Sequence, residues 1–225
     1  MSAMKKNIII SWSSGKDSTL TLERLMESED YRVVGLYTTH VNGEVPFQVT
    51  PIEVVKMQAQ RLGLPLVTIE LPEIFPANDV YQSLVIEGIK SSGLAIDGIA
   101  FGDMFCNGIV DYRKSYVEPA GYEAVFPLLG EDSLVLAQEI ISRGIETVIV
   151  TIDRDVQLSE ELCGQTYTSS LIDSLADHVD PCGENGEFHT LVINSQYFNA
   201  PIKIKRQSIE TGERFSHLRY LALPV

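Results

Sequence analysis

An α/β chain is predicted: a domain built on a parallel sheet over residues 1–130, then a smaller α+β domain over 131–225. Three observations carry this. Short β-branched apolar runs alternate with segments of helical period through the first part. Small and polar residues cluster directly after those runs, at the strand ends where open parallel sheets bind their ligands. Beyond the turn at Gly130-Glu131-Asp132 the alternation gives way to a helix and several strands.

The elements follow in order. Ile8, Ile9 and Ile10 read as a buried strand, and from Thr19 the residues Leu20, Leu22, Leu25 and Met26 take up helical spacing. "YRVVGLYTTH" is a second strand ending in Thr38, Thr39 and His40. "PIEVVKMQAQRLG" is a helix, with Pro51 at its start and Gly63 at its end. "LPLVTIELP" is a strand, "DVYQSLVIEGIKSSG" a helix, and "IDGIAFGD" a strand stopping at Gly102-Asp103. "GYEAVFPLLG" and "IETVIVTID" are strands flanking the helix "SLVLAQEIISRG". The last part holds the helix "SSLIDSLADH" and the strands "EFHTLVIN" and "PIKIKRQSI". The alternation predicts helices on both faces of the parallel sheet.

Composition excludes some classes. The 225 residues are 44% hydrophobic and 21% charged, ordinary for a globular protein, but the net charge is -14. That field repels phosphate backbones, so no nucleic acid is expected as a partner, although "IKIKRQSIETGERFSHLR" is locally basic. Cys106, Cys163 and Cys182 form no Cys-x-x-Cys pair, which fits a reducing cytosol better than a disulfide framework. The apolar stretch near the N-terminus is too short for a signal peptide, and nothing approaches a membrane span. A soluble cytoplasmic protein is expected, and a homodimer is plausible for an enzyme of this size.

The chemistry starts at Ser13-Ser14-Gly15-Lys16-Asp17-Ser18, between the first strand and its helix. It is not a Walker A loop, since Ile10 stands where that motif needs glycine and Asp17 follows the lysine. Nor is there a Gly-x-Gly-x-x-Gly fingerprint. A strand turning abruptly into a helix N-terminus remains, with unpaired N–H groups and a positive dipole end where phosphate binds. In that reading Gly15 lets the backbone approach, Lys16 adds a point charge, and Ser18 caps the helix or bonds a phosphate oxygen.

These residues resemble the Ser-Gly-Gly-x-Asp-Ser loop of the PP-loop ATP pyrophosphatases, whose adenine-nucleotide (HUP) fold and ATP chemistry are thereby implied. Ser14 stands where that family prefers glycine, which is tolerable at negative φ but leaves less room for the pyrophosphate. A second segment, "VDPCGENGEFHTLV", resembles the Glu-x-Gly-Glu motif of diphthine–ammonia ligases in the version of a bacterial subgroup. "GIAFGD", "DYR" and "FPLLG" stand in the order of that subgroup, with Leu129 replacing a common tryptophan.

The residues give a candidate site. Ser13, Ser14, Gly15, Lys16, Asp17 and Ser18 would hold ATP, helped by Thr38, His40, Gly102 and Asp103 at neighbouring strand ends. Lys16, Asp17, Glu184 and Glu187 are the catalytic candidates. Glu184 and Glu187 bracket Asn185-Gly186 and would bind Mg²⁺ or deprotonate an ammonium ion, unless they only form a solvated turn. Asp17 and Asp103 are candidates for Mg²⁺, against the plainer roles of helix-dipole partner and turn residue. Tyr112 and Arg113, with Asn185, Gly186 and His189, are the substrate-binding candidates; Arg113 would hold a phosphate or carboxylate, or else form a surface salt bridge. Cys182, His189 and His178 match no zinc spacing, and Cys182 has no base beside it, so it reads as a small buried residue.

The resemblance implies an AMP-forming ligase. A carboxylate attacks the α-phosphate of MgATP, pyrophosphate leaves, and ammonia displaces AMP to give an amide. Lys16→Ala would then lower turnover far more than it disturbs folding, and the Glu184–Glu187 turn would close over the adenylate or position ammonia. Elongation factor 2 carrying diphthine is the implied partner. The alternatives are another small carboxylate, as in corrinoid or cofactor salvage, a PP-loop tRNA-modifying enzyme, and a non-catalytic nucleotide sensor.

Overall fold

Ile8, Ile9 and Ile10 have no exposed surface at all, which requires cover on both faces of their strand. In the computed structural model, which describes residues 4–105, 108–156 and 158–223, they form the middle of β1 (Lys6–Ser11). The remark on Cys106 falls outside the described residues. β1 lies between β2 (Tyr31–His40) and β6 (Gly98–Ala100), flanked in turn by β5 (Leu66–Glu70) and β7 (Glu123–Val125). All these neighbours run parallel.

Successive side chains of a strand point to opposite faces. Ile8 and Ile10 accordingly pack with Leu22 and Leu25 of α1 (Lys16–Glu27) and with Val55 and Ala59 of α2 (Ile52–Leu62). Ile9 packs on the other face, with Val85 and Ile89 of α3 (Asn78–Ser91) and Val117 of α4 (Ile109–Val117). The doubly covered parallel sheet is therefore as the sequence predicts.

The second sheet is antiparallel. Its order is β10 (Ile204–Thr211), β11 (Phe215–Ala222), β8 (Glu146–Asp153), β9 (Phe188–Asn194). One core joins β8, β9 and α5 (Ser133–Ser142) to Leu20, Val54, Met104 and Leu128 from the first half. The outer edge of β9 is closed by the strand-to-helix loop itself, where the Val192 N–H donates to the Ser14 carbonyl at 3.0 Å.

Several elements depart from the sequence reading. "GYEAVFPLLG" is a strand only over Glu123–Val125, because Pro127 has no N–H for the ladder. The helix "SSLIDSLADH" is the short α6 (Ser169–Asp173), whose Thr168 cap and two buried side chains support little more than a turn. α4 went unread because only Tyr116 and Val117 are buried on it, too few for a periodic signal. The basic tail contains β11, where Ser216, Leu218 and Tyr220 are buried in alternation. Part of its charge is locally neutralised: Arg214 pairs with Asp153 and Asp155, and Arg219 with Glu44 and Glu210. A two-rung hairpin of β3 (Glu44–Val45) and β4 (Thr50–Pro51) also lay beyond sequence reading, being too short for a period. Among the described residues no helix is long and apolar enough to cross a membrane.

Candidate active site

The loop leaves β1 at Ser11 and enters α1 through Gly15, the N-cap, whose φ is -93°. Ser14 has φ 73°, so the negative φ under which serine was expected to be tolerated is not what the chain adopts. A serine there costs on the order of 1–2 kcal/mol, and its surroundings hold it in place. Its hydroxyl donates to Thr50 Oγ1 at 3.1 Å, and its carbonyl accepts from Gln58 Nε2 at 3.0 Å as well as from Val192. Gln58 in turn accepts from the Trp12 indole at 2.8 Å.

Gly15 is glycine for a reason other than room for a phosphate. A Cβ there would stand 3.1 Å from Thr190 Oγ1 and 3.2 Å from the Thr190 carbonyl, so β9 already occupies that side. The Lys16 N–H donates to the same Thr190 hydroxyl at 3.2 Å. Ser18 does not cap the helix, since its hydroxyl donates back to the Gly15 carbonyl at 3.0 Å. Gly102 lies behind the loop, where a Cβ would meet Ser18 N at 3.2 Å; it lets β6 pack against α1 and does not face the ligand side.

Lys16 departs most from its expected role. Its side chain is 2% exposed, and Nζ donates to both Asp17 oxygens, at 2.9 and 2.8 Å, and to the Cys182 carbonyl. The Phe188 and Tyr167 rings lie 5.7 and 5.9 Å away. Burial favours losing the proton, but Asp17 outweighs it and Lys16 stays charged, with all three ammonium protons occupied. It ties the start of α1 to the 180s turn and offers no free proton to a phosphate. Asp17 and Asp103, the magnesium candidates, are each held by a cation: Asp17 by Lys16, and Asp103 by Arg113 at 3.1 Å.

The 180s turn is organised by a residue the sequence reading passed over. Asp180 Oδ1 accepts from Ser133 Oγ at 2.7 Å, Cys182 N at 2.8 Å and Glu184 N at 3.2 Å. The Asp180-Pro181 pair opening the motif was a turn signal that could have found it. Glu187 is likewise committed inward, accepting from Asp180 N, Asn185 N and Asn185 Nδ2 at 2.9, 2.9 and 3.0 Å. Its carboxylate meets donors only, so Glu187→Gln would place an amide N–H₂ against an N–H. A loss of about 1–3 kcal/mol is expected in urea unfolding; an unchanged midpoint would show that these bonds do not hold the turn.

Glu184 behaves differently. Among the described hydrogen bonds none reaches its carboxyl group. Burial, then the nearby negative charge of Asp17, pushes its pKa up to about 8. Cys182 is buried, and burial raises its thiol to about 11, so it is not a nucleophile at neutral pH. Among the described residues no group of three ligating side chains is gathered for a metal ion.

Three pockets lie side by side, and the first has Ser13 of the loop in its wall. One of about 300 Å³ lies at the C-terminal ends of β1 and β2, lined by Trp12, Ser13, Thr38, Phe47, Arg113 and His189, among others. The second, about 540 Å³, has Phe47, Ile74 and His189 in common with the first and is also lined by Asn185 and Gly186. The third, about 490 Å³, holds Asp103 and Tyr112 and has Glu184 in common with the second. Shared walls join these into one trough that meets the loop at Ser13. Thr38, Asp103, Tyr112, Arg113, Glu184, Asn185, Gly186 and His189 line it with Ser13, whereas Ser14, Gly15, Lys16, Asp17, Ser18, His40, Gly102 and Glu187 do not. Arg113 is no surface salt bridge: it is largely buried, with its guanidinium 4.7 Å from the Phe101 ring centre. Gln48, unremarked in the sequence, reaches the first pocket.

The class follows from the family models that match, and it is the PP-loop superfamily. Residues 4–119 match the profile of the diphthamide synthase N-terminal domain, and residues 132–220 that of the diphthamide synthase C-terminal domain. The chain belongs to the diphthamide synthase family. Among curated proteins none matches it. Among solved structures, the U34-tRNA thiolase NcsA from Methanococcus maripaludis, with its 4Fe–4S cluster, is similar at 16% identity and a TM-score of 0.40. The match covers 61% of this chain and 56% of the thiolase, so the chain spans little more than half of that protein's length.

Proposed function

We propose that this chain is an AMP-forming ligase that adenylates a carboxylate with ATP and converts it to the amide with ammonia, as diphthine–ammonia ligases do. The observation that supports it is an unpartnered hydroxyl. Thr38 Oγ1 is buried without a hydrogen-bond partner among the described residues, and Thr38 lines the 300 Å³ pocket beside the loop. Such a group costs free energy unless a ligand completes it. An adenosine that enters that pocket and turns the Thr38 hydroxyl towards itself would do so, with its phosphates directed to Ser13 at the start of the loop.

The chemistry follows by class. A carboxylate oxygen bonds the α-phosphorus and the bridge to the β-phosphate breaks, releasing pyrophosphate. The nitrogen of ammonia then bonds the acyl carbon, AMP leaves, and one proton goes to a base. The ionised form of Glu184, which becomes accessible as pH nears about 8, is suited to take that proton. Lys16 acts by holding α1 against the 180s turn, so charge on the leaving pyrophosphate falls to the helix dipole and to first-turn amides other than that of Lys16, which Thr190 takes. Among the described residues no cage for Mg²⁺ is gathered, so an ion arriving on the phosphates would neutralise their charge without a built protein site.

The test is product analysis with ATP, Mg²⁺ and ammonium, with elongation factor 2 carrying diphthine or with free carboxylates as acceptor. AMP and pyrophosphate should form in equal amounts only with an acceptor present. If AMP never rises above background with any acceptor, the ligase reading fails. Independently, Thr38→Val should weaken ATP binding about tenfold. Trp12, the only tryptophan and part of the pocket wall, gives the fluorescence readout. An unchanged dissociation constant would remove Thr38 from the nucleotide site.

A further inference from the structure

We infer that the carboxamide of Gln48 is a side-chain donor to the phosphates of the bound nucleotide, a role that Lys16, buried and fully paired, does not fill. This rests on the ligase reading and adds a phosphate-binding residue to its site. A triphosphate needs hydrogen-bond donors along its oxygens, and the loop has few to spare. The three Lys16 ammonium protons go to Asp17 and the Cys182 carbonyl, and the Lys16 N–H goes to Thr190. The Gly15 N–H is turned to Ser13 Oγ at 3.3 Å. In the wall of the 300 Å³ pocket the Trp12 indole donates to Gln58, and Arg113 is paired with Asp103. Gln48 is half-buried in the same wall as Ser13 and Thr38, and among the described hydrogen bonds none involves its carboxamide. Its Nε2 lies over the loop, 3.3 Å from where a Cβ on Gly15 would stand.

The backbone on either side of Gln48 is strained. Phe47 has φ 67° and Val49 φ 51°, and for a β-branched residue such as Val49 the left-handed region is a rare choice. Strain of this kind persists where the surroundings hold it, and it gathers at ligand clamps. The Phe47 carbonyl accepts from Thr151 Oγ1 of β8 at 2.9 Å, and the Val49 N–H donates to the Val45 carbonyl at 3.0 Å. The next residue, Thr50, accepts the Ser14 hydroxyl at 3.1 Å. The segment is thus fixed to the second sheet on one side and to the loop on the other, with Gln48 between. A carboxamide offers two N–H donors and turns them to an anion without adding a charge of its own. The buried, unpartnered Thr38 hydroxyl in the same wall points to a ligand independently of Gln48.

The experiment uses the full chain and follows binding of ATP and of adenosine by Trp12 fluorescence, in the parent, Gln48→Ala and Gln48→Glu. ATP should bind about tenfold more weakly to the alanine variant, and more weakly still to the glutamate variant, whose carboxylate repels phosphate. Adenosine has no phosphate and should stay within about twofold of the parent in both, which also reports that the variants fold. Gln48→Lys supplies donors again and should return ATP binding to within about threefold of the parent, a rescue that a merely structural role would not give. Equal losses for ATP and adenosine that lysine does not rescue would show that Gln48 only shapes the pocket. Unchanged ATP binding in the glutamate variant would show that it stands clear of the phosphates. Either result overturns the inference. The ligase reading is read separately, from AMP formed with an acceptor. The expected binding pattern without AMP would keep Gln48 as a phosphate donor and overturn the ligase reading. AMP formed by Gln48→Glu at the parent's kcat/KM would keep the ligase reading and overturn the inference.

Discussion

Glu184→Gln is expected to lower amide formation about 10²–10⁴-fold while ATP–pyrophosphate exchange continues. The glutamine keeps the shape of the side chain and cannot take a proton, so only the step that releases one should suffer. The same variant has a signature in stability. The carboxyl group is pushed up to about 8 in the fold from its ordinary 4.5, because burial and Asp17 disfavour its charge. The native state therefore binds the proton more tightly than the unfolded chain. That contribution is fully present below about 4.5 and is lost as pH rises through about 8. Glutamine has no such slope. Chemical denaturation should give equal midpoints near pH 4 and a clearly more stable variant at pH 9. Parallel curves for the two proteins would show that Glu184 is not held neutral.

Lys16→Met should destabilise the protein by about 3–5 kcal/mol, read as a lower urea midpoint. The sequence reading expected Lys16 to be removable with little cost to folding, and its burial reverses that. Methionine retains much of the stem but leaves the Asp17 carboxylate without its counterion in a site where burial already raises its pKa. The Cys182 carbonyl loses its donor as well. Adding Asp17→Asn should recover most of the stability, since the charge that needed Lys16 is gone, but not the activity. A single variant within 1 kcal/mol of the parent would mean that the pair does not hold α1 to the 180s turn.

Much of this was legible in the chain and some was not, for reasons that differ by residue. Ile8–Ile10 and the period from Leu20 to Leu25 announce a buried strand and an amphipathic helix, because burial on two faces or on one stripe leaves a local pattern. The Ser13–Ser18 loop was legible for the same reason: it is bounded by those two patterns. Glu184 and Glu187 look equivalent in sequence, two carboxylates around Asn185-Gly186. The fold turns Glu187 onto backbone amides and leaves Glu184 towards the trough, a choice made by the direction of one turn. α4 buries too few residues for its length to show a clear period, and one of the three residues that β11 buries in alternation is the polar Ser216.

By itself, then, the sequence determined the order of strands and helices, the doubly covered parallel sheet and the place of the strand-end loop. Each of these depends on residues close together in the chain. The tertiary structure decided what the loop presents. Thr190, 174 positions beyond Lys16, takes the first amide of α1 and closes over Gly15, and Cys182 takes the lysine's last proton. A charged side chain points where its counterions and burial leave it most stable, and those partners are supplied by a sheet built from the far end of the chain.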